Sequence, residues 1–76
     1  MVYQVEIECE SEGRWLADVV AFPGVMTYGA TADEAFTAAI ALALRVIAER
    51  IEHGEEVPGV AAGGGQVVDF RFARAA

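Results

Sequence analysis

Gly29-Ala30-Thr31-Ala32-Asp33-Glu34-Ala35 is the stretch on which the fold turns. Thr31 and Glu34 stand three apart, the spacing of a capping box, in which an N-cap hydroxyl accepts one backbone N–H and a carboxylate reaches back to another. Asp33 and Glu34 also place negative charge in the first turn, where the helix dipole favours it. A helix is predicted from Ala32. Gly54 can take the left-handed conformation after a last turn and Pro58 blocks resumption, so the helix is expected to end near His53. Phe36, Ile40, Ala43, Leu44, Ile47 and Ile51 read as its sheet-facing stripe. Ala35, Ala39, Leu42 and Val46 form an adjoining apolar stripe, giving an arc wider than one sheet needs. Leu42 and Val46 are therefore candidate oligomer-interface residues.

Outward from the helix the period changes to two. Val2 to Cys9 alternates, with Tyr3, Val5, Ile7 and Cys9 on one side and Gln4, Glu6 and Glu8 on the other, as a half-buried strand requires. After the polar Glu10-Ser11-Glu12-Gly13, a second strand is expected over Arg14 to Ala21, pairing with the first as a hairpin. Phe22-Pro23-Gly24 interrupts it, and a short third strand follows at about Val25 to Tyr28. Glu55 to Gly65, with Pro58, Gly59 and Gly63-Gly64-Gly65, reads as a connection, and Gln66 to Ala73 closes the chain as a fourth strand carrying Val68, Phe70 and Phe72 on one side. The fold class is α+β: a single βββαβ domain over residues 1–76, an antiparallel three-strand meander plus a C-terminal strand packed on one long helix.

The 76 residues include five Arg, no Lys and twelve acids, a net charge of −7. Such a surface repels phosphate backbones and attracts basic proteins, so no direct nucleic-acid partner is expected and a basic protein is. A chain this short buries a modest fraction of its surface, which makes self-association as a dimer or tetramer the natural supplement. Cys9 alone excludes an internal disulfide framework, and the N-terminus lacks the basic and apolar regions of a leader. Ala38 to Leu44 is too short to span a bilayer. A cytoplasmic protein away from the membrane is expected.

Glu6, Glu8, Glu10 and Glu12 recur at every second position, which places at least the first three on one strand face. Such a row spreads carboxylates along a sheet instead of around an ion, so no metal site is expected. The acids read as a solvated face or an acidic docking surface. A metal-dependent nuclease would combine Glu6 or Glu8 with Asp69 and Glu49, yet no spacing makes them converge. Neither enzymatic activity nor a cofactor is expected. Cys9 has the apolar phase of its strand and reads as a core thiol, while His53 reads as a helix C-terminal residue favoured by the dipole. The glycine run lacks a P-loop lysine and reads as a linker. Trp15 has core phase. Trp15, Phe22 and Tyr28 read as core aromatics or, for Phe22 exposed beside the Pro-Gly bend, as the candidate aromatic anchor for a partner.

The segment from Gly13 to Pro58 resembles the HicB family of antitoxins. The matching residues are Trp15-Leu16-Ala17, Phe22-Pro23-Gly24-Val25, Gly29 to Ala35, the alanine-rich helix, and Gly54-Glu55-Glu56-Val57-Pro58. The resemblance implies a compact βββαβ domain, a degraded relative of ribonuclease H. It also implies neutralisation of a small, basic, mRNA-cleaving toxin of the HicA type by direct contact. With the chain ending at Ala76, a short form without the family's DNA-binding domain is expected, and Pro23, Gly24, Gly29 and Thr31 carry over as fold determinants. Glu6, Glu8, Glu10 and Phe22 are the toxin-binding candidates. The alternative is a solitary homo-oligomeric module with a regulatory role and no toxin.

Overall fold

In the computed structural model, which describes residues 2–59 and 70–75, the elements follow as β1 (Val2–Cys9), β2 (Trp15–Val19), β3 (Met26–Gly29), α1 (Ala32–Glu52) and β4 (Arg71–Arg74). They form one sheet in the order β3-β2-β1-β4, with β1–β2 and β2–β3 antiparallel and β1–β4 parallel. This is the expected βββαβ arrangement. The helix supplies the crossover that a parallel pair requires. Residues 60–69 lie outside the described part, and with them the Gly63-Gly64-Gly65 linker and the first half of the expected fourth strand, including Val68 and Asp69.

Each strand end has a local cause. Glu10 donates its N–H to Arg14 O and accepts from Gly13 N–H, and Gly13 supplies the positive φ (79°) that closes this hairpin. Pro23 and Gly24 form the centre of a type II turn, with Gly24 at φ 88° and Val25 N–H donating to Phe22 O at 3.0 Å. A second turn bond, from Phe22 N–H to Val19 O, re-aims Phe22 inward. Phe22 is fully buried, its ring 5.2 Å from that of Tyr3, so the expectation of an exposed aromatic anchor is corrected. Its place below the bend is capped by Arg50, whose guanidinium lies 5.2 Å over the ring.

The helix begins as the sequence indicates. Thr31 Oγ1 accepts from Glu34 N–H at 3.1 Å, and Glu34 Oε2 accepts from Ala30 N–H at 3.0 Å, one residue earlier than a reciprocal box would have it. At the other end Gly54 N–H donates to Ile51 O and Glu55 N–H to Arg50 O, a Schellman closure around Gly54 at φ 69°. The face that α1 turns to the sheet differs from expectation. Ala35, Ala39, Ala43 and Ile47 are buried, whereas Leu44 and Ile51 of the expected stripe are exposed. The reason is proximity: a Cβ at Gly29 would meet the Ala35 nitrogen at 2.5 Å, and Thr27 Oγ1 donates to Ala35 O at 2.8 Å. Beside Gly29 the facing line starts with alanine, and Ile47, further along the helix, is the first large side chain on it.

Tyr3, Val5, Ala17 and Val19 complete the core from the sheet side. Burial along β1 thins from Tyr3 and Val5 to half-buried Ile7 and exposed Cys9. The core-thiol reading is thus corrected: Cys9 has the right phase but lies at the hairpin tip, where the helix-side cover has thinned. Tyr3 anchors the far end, its hydroxyl donating to Pro58 O at 2.6 Å and its ring stacking with Phe70 and tilting against Phe72. Burial holds the phenol above its ordinary value of 10.0.

Gly29→Ala is expected to destabilise the domain by about 1–3 kcal/mol, the usual cost of overpacking. That is a fall in Tm of about 4–8 °C per kcal/mol, and an unchanged thermal melt would contradict the close approach. For Tyr3 the folded-state pKa is raised, so its contribution is whole below pH 10 and declines as pH rises through the folded value. Tyr3→Phe should therefore melt lower at pH 8 by about 1 kcal/mol for the lost hydrogen bond, and lose less than wild type between pH 9 and 11.

Candidate functional site

With α1 on one side, the sheet's other side is left uncovered by the described residues. Side-chain alternation assigns it directly. Glu6 pairs with Asp18 and Glu8 with Leu16 across β1–β2, while Leu16 pairs with Tyr28 and Asp18 with Met26 across β2–β3. Two ranks result: Glu6, Asp18 and Met26 in one, Glu8, Leu16 and Tyr28 in the next. Val2 and Gln4 extend the face along β1, opposite Arg71 and Ala73 of β4. Val20, one residue past β2, donates its N–H to Gln4 O and borders the same surface.

This face is unusually apolar for a solvated one. Val2, Val20, Met26 and Tyr28 are between 46% and 53% exposed, and they account for four of the six exposed large apolar side chains among the described residues. The acids among them are uncompensated: Glu6, Glu8 and Asp18 have no ion pair or side-chain hydrogen bond among the described residues. Two carboxylates directly opposite on neighbouring strands repel, an arrangement that costs stability.

The sequence-predicted residues separate into three groups. Glu6 and Glu8 are exposed on the open face, as expected. Glu10 has left the strand and is engaged by Arg14, whose Nη2 donates at 2.8 Å and Nε at 3.1 Å to Oε1. The same guanidinium lies 4.0 Å over the Tyr28 ring, so Glu10, Arg14 and Tyr28 form one closed cluster at the hairpin end. Phe22 is in the core on the helix side, where it is no exposed anchor. Leu42 and Val46 pack partly buried against the core, so they are not the free stripe of α1. Asp18, Met26 and Val20 were missed. The signal for Asp18 was its place between Ala17 and Val19 in a strand whose odd positions are apolar.

The sheet lies between Glu6 and Glu8 on one side and the helix bearing Glu49 on the other, while Asp69 falls outside the described residues. Among the described residues no group of three His, Cys, Asp or Glu could hold a metal ion. Cys9 sits at the hairpin tip, and His53 caps α1 with Nδ1 2.7 Å from Glu49 O. A concavity at that tip is walled by Glu8, Cys9, Ser11 and Glu12 beside the Glu10–Arg14 pair, mostly polar and open to solvent. Among the described residues no helix is long and apolar enough to cross a membrane. No family model, curated protein or solved structure matches the chain.

Glu6→Lys places a cation opposite Asp18 in the register of β1 and β2. It should raise stability by about 0.2–1 kcal/mol in low salt, the range for an opposite-charge cross-strand pair, and the gain should shrink as salt is added. Denaturant titration at two ionic strengths reads both effects, and a variant no more stable than wild type would mean that the Glu6–Asp18 repulsion is negligible.

Proposed function

We propose that this domain is a non-catalytic binding protein that captures a small basic protein on the open face of its sheet. In keeping with the HicB resemblance, the partner is an mRNA-cleaving toxin of the HicA type, met in the cytoplasm. The observation that carries the reading is the face itself, with half-exposed Val20, Met26 and Tyr28 set among the unpaired carboxylates of Glu6, Glu8 and Asp18. Large apolar side chains left half-exposed on one sheet face, interleaved with acids, favour a place where another molecule docks.

The charge selects the class of partner. A protein that grips RNA phosphates presents cationic side chains, which complement these acids and can no longer reach RNA once covered. RNA itself is disfavoured by the net charge of −7. The two components of the face divide the kinetics: the carboxylates steer the encounter, and the apolar side chains slow departure.

The experiment uses the basic product of the neighbouring reading frame and follows both its binding and its cleavage of RNA. Replacing Glu6, Glu8 and Asp18 by Gln, Gln and Asn should lower the association rate by about tenfold at low salt and flatten its salt dependence. Val20→Ala with Met26→Ala should leave association nearly unchanged and raise dissociation by roughly tenfold. Wild-type rates in both variants would move the docking surface elsewhere. RNA cleavage that continues at saturating concentrations of this protein would overturn the antitoxin reading.

A further inference from the structure

The outward side of α1 is the second uncovered apolar surface, and it differs in charge from the first. At about 100° per residue, Leu44, Ala48 and Ile51 fall within roughly 60° of one another on the side away from the sheet. Leu44 is 42% exposed and Ile51 54%, and Ala48 between them is exposed as well. Arg45 and Glu52 stand together on one flank of this stripe, seven residues apart. Each of the other four arginines is engaged: Arg14 with Glu10, Arg50 over Phe22, Arg74 with Asp33 and Phe36, and Arg71 with a further partner. Arg45 alone has no ion pair, hydrogen bond or ring contact among the described residues, and the Glu52 carboxylate has none either.

We infer that this stripe binds a second copy of the chain, as an antiparallel helix pair about a two-fold axis near Ala48. The register follows from the residues. With the axis at Ala48, the two small side chains meet and let the helices approach. Leu44 of each copy then lies against Ile51 of the other. A two-fold axis perpendicular to both helices keeps each flank on its own side, so Arg45 of one copy faces Glu52 of its partner, and the pair occurs twice. The occupant is set by charge. Pairing two copies through the sheet face would bring Glu6, Glu8 and Asp18 against themselves, whereas the helix stripe is apolar and its flank is self-complementary. The sheet faces stay open, one on each side of the dimer, so two basic partners can be held at once. The dimer does not depend on that second binding event.

Sedimentation velocity on the full chain at tens of micromolar tests this, and wild type should sediment as a dimer. Leu44→Glu with Ile51→Glu should sediment as a monomer with an unchanged helical circular dichroism spectrum, since both side chains are exposed in the monomer. Arg45→Glu and Glu52→Arg should each weaken the dimer by about tenfold, and the double exchange should restore it. In a Cys9→Ser background, Ala48→Cys should oxidise to a symmetric disulfide dimer. A wild-type monomer of 8.1 kDa overturns the inference. So does a dimer that survives the Leu44 and Ile51 changes, or one that Met26→Asp on the sheet face dissociates instead. Failure of the double exchange to restore affinity, or of Ala48→Cys to cross-link, overturns the antiparallel register.

Discussion

Helix α1 lies so close to β3 that a methyl group on Gly29 would meet the Ala35 nitrogen at 2.5 Å. The remaining packing follows from that approach. Ala35, Ala39 and Ala43 are fully buried in one line along the helix, small where the helix starts against β3, and Ile47 continues that line further from Gly29. Attraction between apolar atoms decays within an ångström of extra gap, so an alanine line gains its contacts through nearness and not bulk. Thr27 adds a directional term by donating to Ala35 O, which fixes where along β3 the helix starts. The volume that the helix does not supply comes from the sheet and from the chain that crosses its far end. Tyr3, Val5, Val19 and Phe22 are the largest fully buried side chains, and all four lie outside the helix.

This division leaves an apolar helix with much of its bulk facing outward. Burying a large aliphatic side chain stabilises by about 1.5–3 kcal/mol, so leaving Leu44 and Ile51 half in water forgoes a sizeable share of what a 76-residue chain can gather. The sheet makes the same sacrifice on its open side, with Val2, Val20, Met26 and Tyr28. Both surfaces follow from a one-helix, one-sheet architecture, which can cover only one face of each element.

What could be read in the sequence divides along the range of the interaction involved. The Thr31 cap, the acids of the first turn, the Gly54 exit and the alternation of β1 are local, and each appears in the structure where the spacing placed it. The inward place of Phe22 is not legible locally, because Pro23-Gly24 signals a turn without saying to which side the preceding residue is thrown. That side is decided by the Phe22 N–H bond to Val19 O and by the space beside Tyr3. The exposure of Cys9 is not legible either, because phase reports a face and not the depth of cover along it. On the helix, hydrophobicity favoured the bulkier line through Leu44 and Ile51, while the structure uses the alanine line. Side-chain size becomes decisive only once Gly29 reveals how near the sheet is. Asp18 needed the β1–β2 register, a non-local fact, before it could be set opposite Glu6.

The distribution of cations leaves the Glu6–Asp18 pair without an ion pair among the described residues, while Arg71 stands on the same face opposite Val2. Arg14 is held at the hairpin end by Glu10 and the Tyr28 ring, Arg74 by Asp33 beside Phe36, and Arg50 over Phe22, so these three neutralise or cover other parts of the molecule. Glu6 and Asp18 are left directly opposite one another, with side-chain roots about 5 Å apart. That separation is shorter than the screening length of about 8–10 Å at physiological ionic strength, so dissolved salt relieves their repulsion only in part. An ammonium or guanidinium group brought to contact by a partner relieves it more fully, because it sits within the screening length of both carboxylates at once. The repulsion retained in the free domain thus becomes part of the driving force for binding. The same term discriminates against acidic partners, which would add a third like charge to the pair.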